Sequence, residues 1–240
     1  MEWIYGRNVI RVALGAGARR RARKLAATAP ALKALEDELA RDVPVEIVTA
    51  QRLDELTGSR EHQGVALQVD DYAYASGAAL LQADLIVVLD EVTDPHNLGA
   101  VARSAAAAGA GGVVVPKHRS ASVTPAAVKA SAGMTEHIAV AQVTNIVAYI
   151  KELQAAGFWV YGAAGGAGQT LWNTDLRGRV ALVCGAEGRG LRPLVARTCD
   201  ALVAIPMASP VESLNVSVAA ALLLFEARRQ RVSSEAVRPL

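Results

Sequence analysis

The last two-thirds of the chain contains six short apolar segments, and their pattern constrains the fold more than any other feature. Each segment is a continuous apolar run, without the alternation of a half-exposed strand. Such runs are typical of strands that helices cover on both faces, which is the situation in a parallel sheet. The predicted strands span residues 85–89, 112–115, 138–140, 158–161, 180–183 and 202–205.

Helix-like segments separate these strands or follow them, at residues 98–108, 125–132, 145–156, 191–198 and 215–230. The alternation predicts an α/β domain with a parallel sheet, in which ligands bind at the carboxyl ends of the strands. The last of these helices is apolar on nearly all faces. We therefore expect it to be buried or to lie in a dimer interface.

The first 70 residues carry a weaker pattern of strands and helices. It predicts helices at 6–14, 31–40 and 50–56, and strands at 23–27, 45–48 and 65–69. Residues 70–77 are polar and turn-prone, which is typical of a domain boundary. We predict a small α/β domain at residues 1–71, a linker at 72–80 and the parallel-sheet domain at 81–240.

Charge is distributed unevenly, although the formal net charge is only +2. No acidic residue interrupts a basic stretch near the amino terminus, which comprises Arg7, Arg11, Arg19, Arg20, Arg21, Arg23, Lys24 and Lys33. Such a stretch is usually a solvated surface. Arginine-rich surfaces also supply the phosphate contacts that dominate nucleic-acid affinity, so both interpretations stay open on these residues alone.

Composition narrows the class of protein further. Hydrophobic residues make up 52% of the chain, which predicts a packed core. The longest strongly apolar run, residues 216–225, is too short to cross a bilayer, and the first residues do not form a secretory leader. Cys184 and Cys199 lack metal-type spacing. We expect a cytoplasmic protein with no membrane segment and no metal site.

The segment at residues 90–103 leaves one predicted strand and enters a helix. Asp94 and Pro95 form a good helix start, and capping accounts for Asp94 fully. Capping does not account for Asn97 or Arg103. Because an arginine near a helix amino terminus is unfavourable to the helix dipole, Arg103 suggests an anionic ligand.

Two further segments follow predicted strands. Residues 182–191 contain a glycine turn that lacks the dinucleotide and P-loop spacings, so alone it is weak evidence of a site. Residues 205–221 contain a proline-bounded loop before the apolar helix, where Ser213 is a plausible cap. Asn215 falls within the predicted first turn, so capping explains it less well.

These three segments together resemble the motifs of the SPOUT superfamily, in its TrmH (SpoU) branch of RNA 2′-O-ribose methyltransferases. The matching stretches are DEVTDPHNLGAVAR, LVCGAEGRGL and IPMASPVESLNVSVAAALLLFE, in that order. The resemblance covers roughly residues 81–230, and residues 5–9 and 62–65 resemble the small RNA-binding domain of many members. The overall layout is most similar to bacterial 23S ribosomal RNA guanosine methyltransferases.

The resemblance implies a trefoil knot in the parallel-sheet domain, a homodimer with the active site completed across its interface, and S-adenosylmethionine as cofactor. The residues that match the family's cofactor contacts are Ala163, Gly185, Ile205, Met207 and Leu214. The active-site set implied by the resemblance is Asn97, Arg103, Glu187, Ser213 and Asn215. It gives the basic stretch a use in binding structured RNA, most directly through Arg7, Arg19, Arg20, Arg21 and Arg23.

In the family, the arginine that matches Arg103 is often assigned the role of activating the ribose 2′-hydroxyl. A guanidinium with a pKa above about 12 is a poor proton acceptor. We therefore expect Arg103 to clamp a phosphate or the 2′-oxygen and to stabilise negative charge there. Asn97, Ser213 and Asn215 would orient the hydroxyl, and Glu187 would hold the loop or offset the sulfonium charge.

Two alternatives remain at this stage. One keeps the chemistry and changes the RNA, to transfer RNA or to ribosomal RNA whose methylation confers antibiotic resistance. The other is a non-catalytic RNA-binding or ribosome-assembly protein that keeps the fold. The presence of Asn97, Arg103, Ser213 and Asn215 counts against the second alternative.

Overall fold

The fold is known from a computed structural model, which describes residues 1–35 and 43–235, the last three of them as backbone only. The first 70 residues form a four-stranded sheet in the order β1-β4-β2-β3. Its strands are β1 (Glu2–Tyr5), β2 (Ala22–Ala27), β3 (Val45–Ile47) and β4 (Val65–Val69). The helices beside it are α1 (Arg7–Leu14), α2 (Ala29–Lys33) and α3 (Ala50–Thr57).

The strand and helix predictions for this region are confirmed except at two places. Strand β1 was not predicted; it is only four residues long and pairs antiparallel with β4. The predicted helix at 31–40 is realised as the shorter α2, and residues 36–40 lie outside the described part of the chain.

The second sheet has seven strands in the order β7-β6-β5-β10-β8-β11-β9, and every neighbouring pair is parallel. The predicted α/β domain with a parallel sheet is therefore confirmed. The two-residue β9 is the one strand that the sequence analysis missed here. The strands are β5 (Leu85–Asp90), β6 (Gly112–Pro116), β7 (Ala139–Val143), β8 (Trp159–Ala163), β9 (Gln169–Thr170), β10 (Val180–Gly185) and β11 (Ala201–Ala204).

Helices cover both faces of this sheet, which explains why its strands are apolar throughout. In the described residues they are α4 (Gly77–Leu80), α5 (Pro95–Ala108), α6 (Pro125–Ala130), α7 (Ile146–Ala155), α8 (Pro193–Thr198) and α9 (Val216–Glu235). None of the helices in this part of the chain has the length and apolarity needed to cross a bilayer.

Helix α5 is central to the site because it lies between α6 and α9. Asp94 caps it by accepting a hydrogen bond from the His96 backbone N–H at 2.8 Å, as the sequence predicted. At Gly99 an added Cβ would lie 2.3 Å from the Ala127 carbonyl oxygen, so only glycine permits this close approach of α5 and α6.

The two sheets share one apolar core, and a buried ion cluster lies where they meet. The Arg20 guanidinium donates to both carboxylate oxygens of Glu136 from Nε, at 3.1 and 2.9 Å, and also contacts Glu2. Its side chain is 2% exposed and lies 5.4 Å from the ring centre of Tyr72. The prediction that Arg20 contacts RNA is therefore wrong, because internal carboxylates bind its guanidinium.

Candidate active site at the ends of the parallel strands

The loops that follow β8, β10 and β11 line one cavity of about 490 Å³. They meet there because the carboxyl ends of parallel strands lie at one edge of a sheet. Every residue predicted to contact the cofactor lines this cavity, namely Ala163, Gly185, Ile205, Met207 and Leu214. The three motifs lie at separate places along the chain. Each follows a parallel strand, so all three lie at the same edge of the sheet.

The loop after β10 turns back sharply on itself. The Gly190 N–H donates to the Ala186 carbonyl oxygen at 2.9 Å, and Gly188 and Gly190 have φ values of 73° and 65°. A Cβ on Gly185 would lie 2.1 Å from the carbonyl carbon of Gly190. The geometry therefore explains why the second motif contains glycines. They let the backbone of the loop form the wall of the cavity with no side chain in between.

The wall of the cavity also contains Cys184. Burial raises the pKa of its thiol to about 12, so the thiol is neutral near neutral pH. A neutral, buried thiol is a poor nucleophile and a poor metal ligand. The residues that the structure describes contain no group of side chains arranged to bind a metal ion.

A polar cluster of Asn97, Glu187 and Asn215 lies beside this cavity. The Asn215 Nδ2 donates to the Asn97 Oδ1 at 3.0 Å and also contacts the Glu187 carboxylate. Asn97 lies in the first turn of α5 and is 9% exposed, whereas Glu187 and Asn215 are on loops. The fold thus joins three of the predicted active-site residues, and each comes from a different motif.

The structure corrects the predicted start of the last helix. Helix α9 begins at Val216, and Asn215 precedes it as the cap. The Asn215 Oδ1 accepts hydrogen bonds from the backbone N–H and the Oγ of Ser217, at 2.8 and 2.6 Å. Ser213, which the sequence suggested as the cap, is exposed and has no hydrogen bond with any described residue.

Arg103 is not part of the polar cluster within this chain. It is exposed on α5, and no hydrogen bond or ion pair joins it to the described residues. Its sequence neighbour Ser104 lines a shallow groove between α5 and α9, which we call the α5–α9 groove. The exposed apolar side chains of that groove are Trp172, Val218, Leu222 and Phe225.

A buried ion pair that was not predicted from the sequence holds the loop after β10. The Asp90 side chain is fully buried at the end of β5, and Arg192 donates to it from Nε at 2.8 Å and from its backbone N–H at 3.0 Å. A carboxylate at the end of an otherwise apolar strand was the available signal. This pair fixes the glycine loop against the neighbouring strand.

The basic stretch near the amino terminus does not form one uniform surface. Arg7, Arg19 and Arg21 are exposed. Arg23 is exposed but binds Asp70 through two hydrogen bonds of 2.7 and 2.9 Å. Of the five arginines predicted to bind RNA, Arg7, Arg19 and Arg21 are therefore the ones most available to a polyanion.

Comparison with protein-family models matches both parts of the chain. The model of the SpoU rRNA Methylase family matches residues 84–225, and a model described as RNA 2′-O ribose methyltransferase substrate binding matches residues 3–75. The chain belongs to the SpoU rRNA Methylase family. In this family member the first match covers the three motifs up to Phe225, and the second covers the four-stranded sheet from Trp3 onward.

Individual relatives agree with the SpoU assignment. The chain is 47% identical over 216 residues to the 23S rRNA (guanosine-2′-O-)-methyltransferase RlmB of Xanthomonas campestris, covering 85% of this chain and 86% of the relative. It is 43% identical to the protein of that name from Escherichia coli, covering 84% of each. The solved SpoU methyltransferase AviRb of Streptomyces viridochromogenes, in complex with AdoMet (S-adenosylmethionine), has a TM-score of 0.80 at 27% identity. That match covers 96% of this chain and 90% of AviRb.

Proposed function

We propose that this protein transfers a methyl group from S-adenosylmethionine to the ribose 2′-hydroxyl of a guanosine in 23S ribosomal RNA. The observation that carries the proposal is the cavity at the strand ends, with the cluster of Asn97, Glu187 and Asn215 beside it. The names of the RlmB relatives support the RNA and the acceptor, and AviRb was solved with the same cofactor. Ribosomal RNA as substrate also favours the cytoplasm as the place of action.

The residues of the cavity fit such a cofactor. Its apolar lining includes Val203, Ile205 and Leu214, which suits an adenine ring, and the backbone of residues 163–165 and 185–190 offers hydrogen-bonding groups. Glu187 and Glu212 are the carboxylates at the wall, suited to a positively charged ligand. When bound, S-adenosylmethionine supplies an electrophilic methyl group. The trefoil knot stays a prediction, and its three loops would be those that line this cavity.

Gly185→Ala is expected to weaken S-adenosylmethionine binding more than ten-fold without unfolding the protein. The added methyl group would meet the backbone of Gly190 and Leu191, at 2.1 to 2.4 Å, so the loop must move away from β10 and change the cavity wall. Calorimetric titration with S-adenosylmethionine measures the loss. Gly188→Ala is the matched control, because no atom lies within 4 Å of the Cβ position there. The control is mildly strained because Gly188 has a positive φ of 73°. Wild-type affinity for S-adenosylmethionine in Gly185→Ala would contradict the role of this wall.

The chain's own residues contribute mainly position and charge. The bond to the methyl group forms in line with the bond that breaks, so holding the 2′-oxygen in place supplies a large share of the rate. Asn97 and Asn215 are preorganised by their mutual hydrogen bond of 3.0 Å, and Glu187 contacts the same Asn215 amide. We assign Ser213 the orientation of the hydroxyl, and Arg103 the stabilisation of negative charge at its oxygen. Asn215, whose amide already makes four hydrogen bonds, would position Asn97 and Glu187.

Arg103 reaches this cluster in our proposal through a second copy of the chain. Within one chain Arg103 makes no hydrogen bond or ion pair with a described residue, although it lies beside the α5–α9 groove. Trp172 and Phe225 in that groove are 55% and 51% exposed, which is unusual for side chains of this size. A homodimer that covers the groove would bury them and bring Arg103 of one protomer near the polar cluster of the other.

Phe225→Glu is expected to convert the dimer into a monomer and to reduce methyl transfer roughly ten-fold or more. A carboxylate in the centre of an apolar interface must be desolvated without a partner. Light scattering coupled to size exclusion gives the mass, and a methyl-transfer assay gives the rate. Val232→Glu is the matched control, since Val232 is 45% exposed on the same helix but outside the groove. A dimeric, fully active Phe225→Glu protein would contradict this interface.

The four-stranded domain would bind the RNA away from the reacting ribose. Its exposed arginines Arg7, Arg19 and Arg21 are the candidates for phosphate contacts, and Arg23 would need to exchange Asp70 for a phosphate. The match of residues 3–75 to substrate-binding domains supports this assignment. Neutralising these arginines should flatten the salt dependence of RNA affinity, and an unchanged slope would argue for a solvated surface only.

The proposed function is tested by incubating the pure protein with S-adenosylmethionine and either 23S ribosomal RNA fragments or transfer RNA, and mapping ribose methylation by resistance to alkaline cleavage. We expect one guanosine of the ribosomal fragment to become resistant. Methylation of transfer RNA alone would mean that transfer RNA, and not ribosomal RNA, is the substrate. A protein that binds no S-adenosylmethionine and methylates neither RNA would instead be the non-catalytic alternative.

A further inference from the structure

A second cavity adjoins the first and is not explained by the cofactor. Its volume is about 550 Å³, and it opens between the end of β5, the loop after β6 and the loop after β10. Ala186, Glu187, Arg189 and Gly190 line both cavities, so the two cavities adjoin at a single loop. A ligand in this second cavity would therefore lie next to Glu187 and to a methyl donor in the first.

The charges of the second cavity are partly neutralised internally. Arg192 is committed to the buried Asp90 and also lies 3.4 Å from Glu91. Arg119 makes one ion pair, at 3.3 Å to Glu91, and its side chain is 79% exposed. Arg189, on the loop after β10, is exposed and has no hydrogen bond or ion pair among the described residues. Arg119 and Arg189 thus retain most of their hydrogen-bond donors for a ligand.

The backbone holds Arg119 in a defined position at the cavity. Glu91 and Arg119 both have left-handed backbone, with φ values of 59° and 56°. Their two loops are tied together by a hydrogen bond of 2.8 Å from the Ala121 N–H to the Val92 carbonyl oxygen. Left-handed backbone is unfavourable for residues other than glycine and is concentrated at functional sites. Lys117 and His118, both exposed, add basic groups to the same loop.

We propose that this second cavity receives the nucleotide to be methylated, and that Arg119 binds its phosphate from one side while Arg189 faces it from the other. The inference rests on the proposed function and deepens it by naming the place of the substrate nucleotide. The volume lies in the range of pockets that hold ligands of this size. An arginine fork matches a phosphate in geometry and charge, and enzymes that act on one nucleotide of a folded RNA hold it in such a pocket.

Arg119→Asn is the variant that tests this role, because asparagine removes the charge and tolerates left-handed backbone. We expect the KM for a 23S ribosomal RNA fragment to rise roughly ten-fold. The dissociation constant of S-adenosylmethionine should stay within about two-fold, and the salt slope of RNA binding should fall by about one phosphate contact. Arg177→Asn is the matched control, since Arg177 is 61% exposed and outside both cavities.

The outcomes separate this inference from the proposed function. If the wild-type protein methylates RNA and Arg119→Asn has the same KM and salt slope as Arg177→Asn, the inference is overturned and the function stands. If Arg119→Asn weakens the binding of S-adenosylmethionine as much as the binding of RNA, the second cavity belongs to the cofactor and the inference is also overturned. If the wild-type protein methylates no RNA, the proposed function itself is contradicted. Should Arg119→Asn fail to fold, Arg189→Gln carries the test, with a raised KM for RNA expected and an unchanged one overturning the proposal.

Discussion

Arg103→Ala is expected to lower the kcat of methyl transfer roughly 10²- to 10³-fold while the dissociation constant of S-adenosylmethionine stays within about two-fold. Arg103 is exposed, makes no hydrogen bond or ion pair with a described residue of its own chain and lies outside the cofactor cavity, so its loss should disturb neither the fold nor that cavity. Its proposed task is to stabilise negative charge on the 2′-oxygen, which develops during the reaction. Single-turnover rates and calorimetric titration separate the two quantities.

Arg103→Lys is the informative control for this prediction. Lysine keeps the charge but lacks the planar fork, so a clamp on two oxygens should lose most of its rate while a simple charge effect should survive. Equal loss of cofactor binding and methyl transfer in Arg103→Ala would contradict the clamp. If Arg103 acts across a dimer, mixing Arg103→Ala with Asn215→Ala protomers should restore part of the activity, because one intact site forms in each mixed dimer.

Glu136→Ala is expected to lower the free energy of unfolding by about 3–5 kcal/mol. The substitution would leave the Arg20 guanidinium, 2% exposed, with Glu2 as its remaining carboxylate. Burial lowers the pKa of Arg20, but the contacts with Glu136 and Glu2 outweigh that effect and raise it above the ordinary value. The charge cannot be released, so Glu2 alone would have to compensate its desolvation. Urea unfolding followed by circular dichroism measures the change.

Asp70→Ala is the matched control, because it breaks an arginine–carboxylate pair of similar geometry that is about two-fifths exposed on both sides. Exposed pairs contribute little, so we expect a much smaller loss of stability than in Glu136→Ala. Replacing both partners, as Arg20→Met with Glu136→Leu, should recover much of the stability lost in Glu136→Ala. If Glu136→Ala and Asp70→Ala lowered the free energy of unfolding equally, burial of the ion cluster at the junction of the sheets would add nothing to the cost of losing a carboxylate.

The parallel sheet was predictable because local pattern and global fold agree there. The strands at residues 85–89 and 180–183 are apolar throughout, and the structure places them side by side in the sheet centre. Short elements escaped the same reasoning, since β1 and β9 span four and two residues and carry too few positions to display a period.

The cofactor residues were predictable for a related reason. Ala163, Gly185 and Ile205 each lie at or just after the end of a parallel strand, where ligand-binding loops are expected. Their assignment to S-adenosylmethionine, however, came from the likeness of three motifs to a family and not from spacing. Arg119 and Arg192 lie outside the three motifs, and Asp90 is the first residue of the first motif but was assigned no role from the sequence. Only the tertiary structure brings the three together around the second cavity.

The sequence by itself determined the class of fold, the order of the strands along the chain and the loops that bear the site, because burial on both faces imposes a local pattern. Tertiary structure alone decided the partners of polar side chains. Arg20 and Arg21 are adjacent and chemically identical in the sequence, yet one is buried against Glu136, 116 residues away, and the other is exposed. Asn97 and Asn215 meet across 118 residues. Such contacts depend on where distant loops are placed in space, and no local period records that.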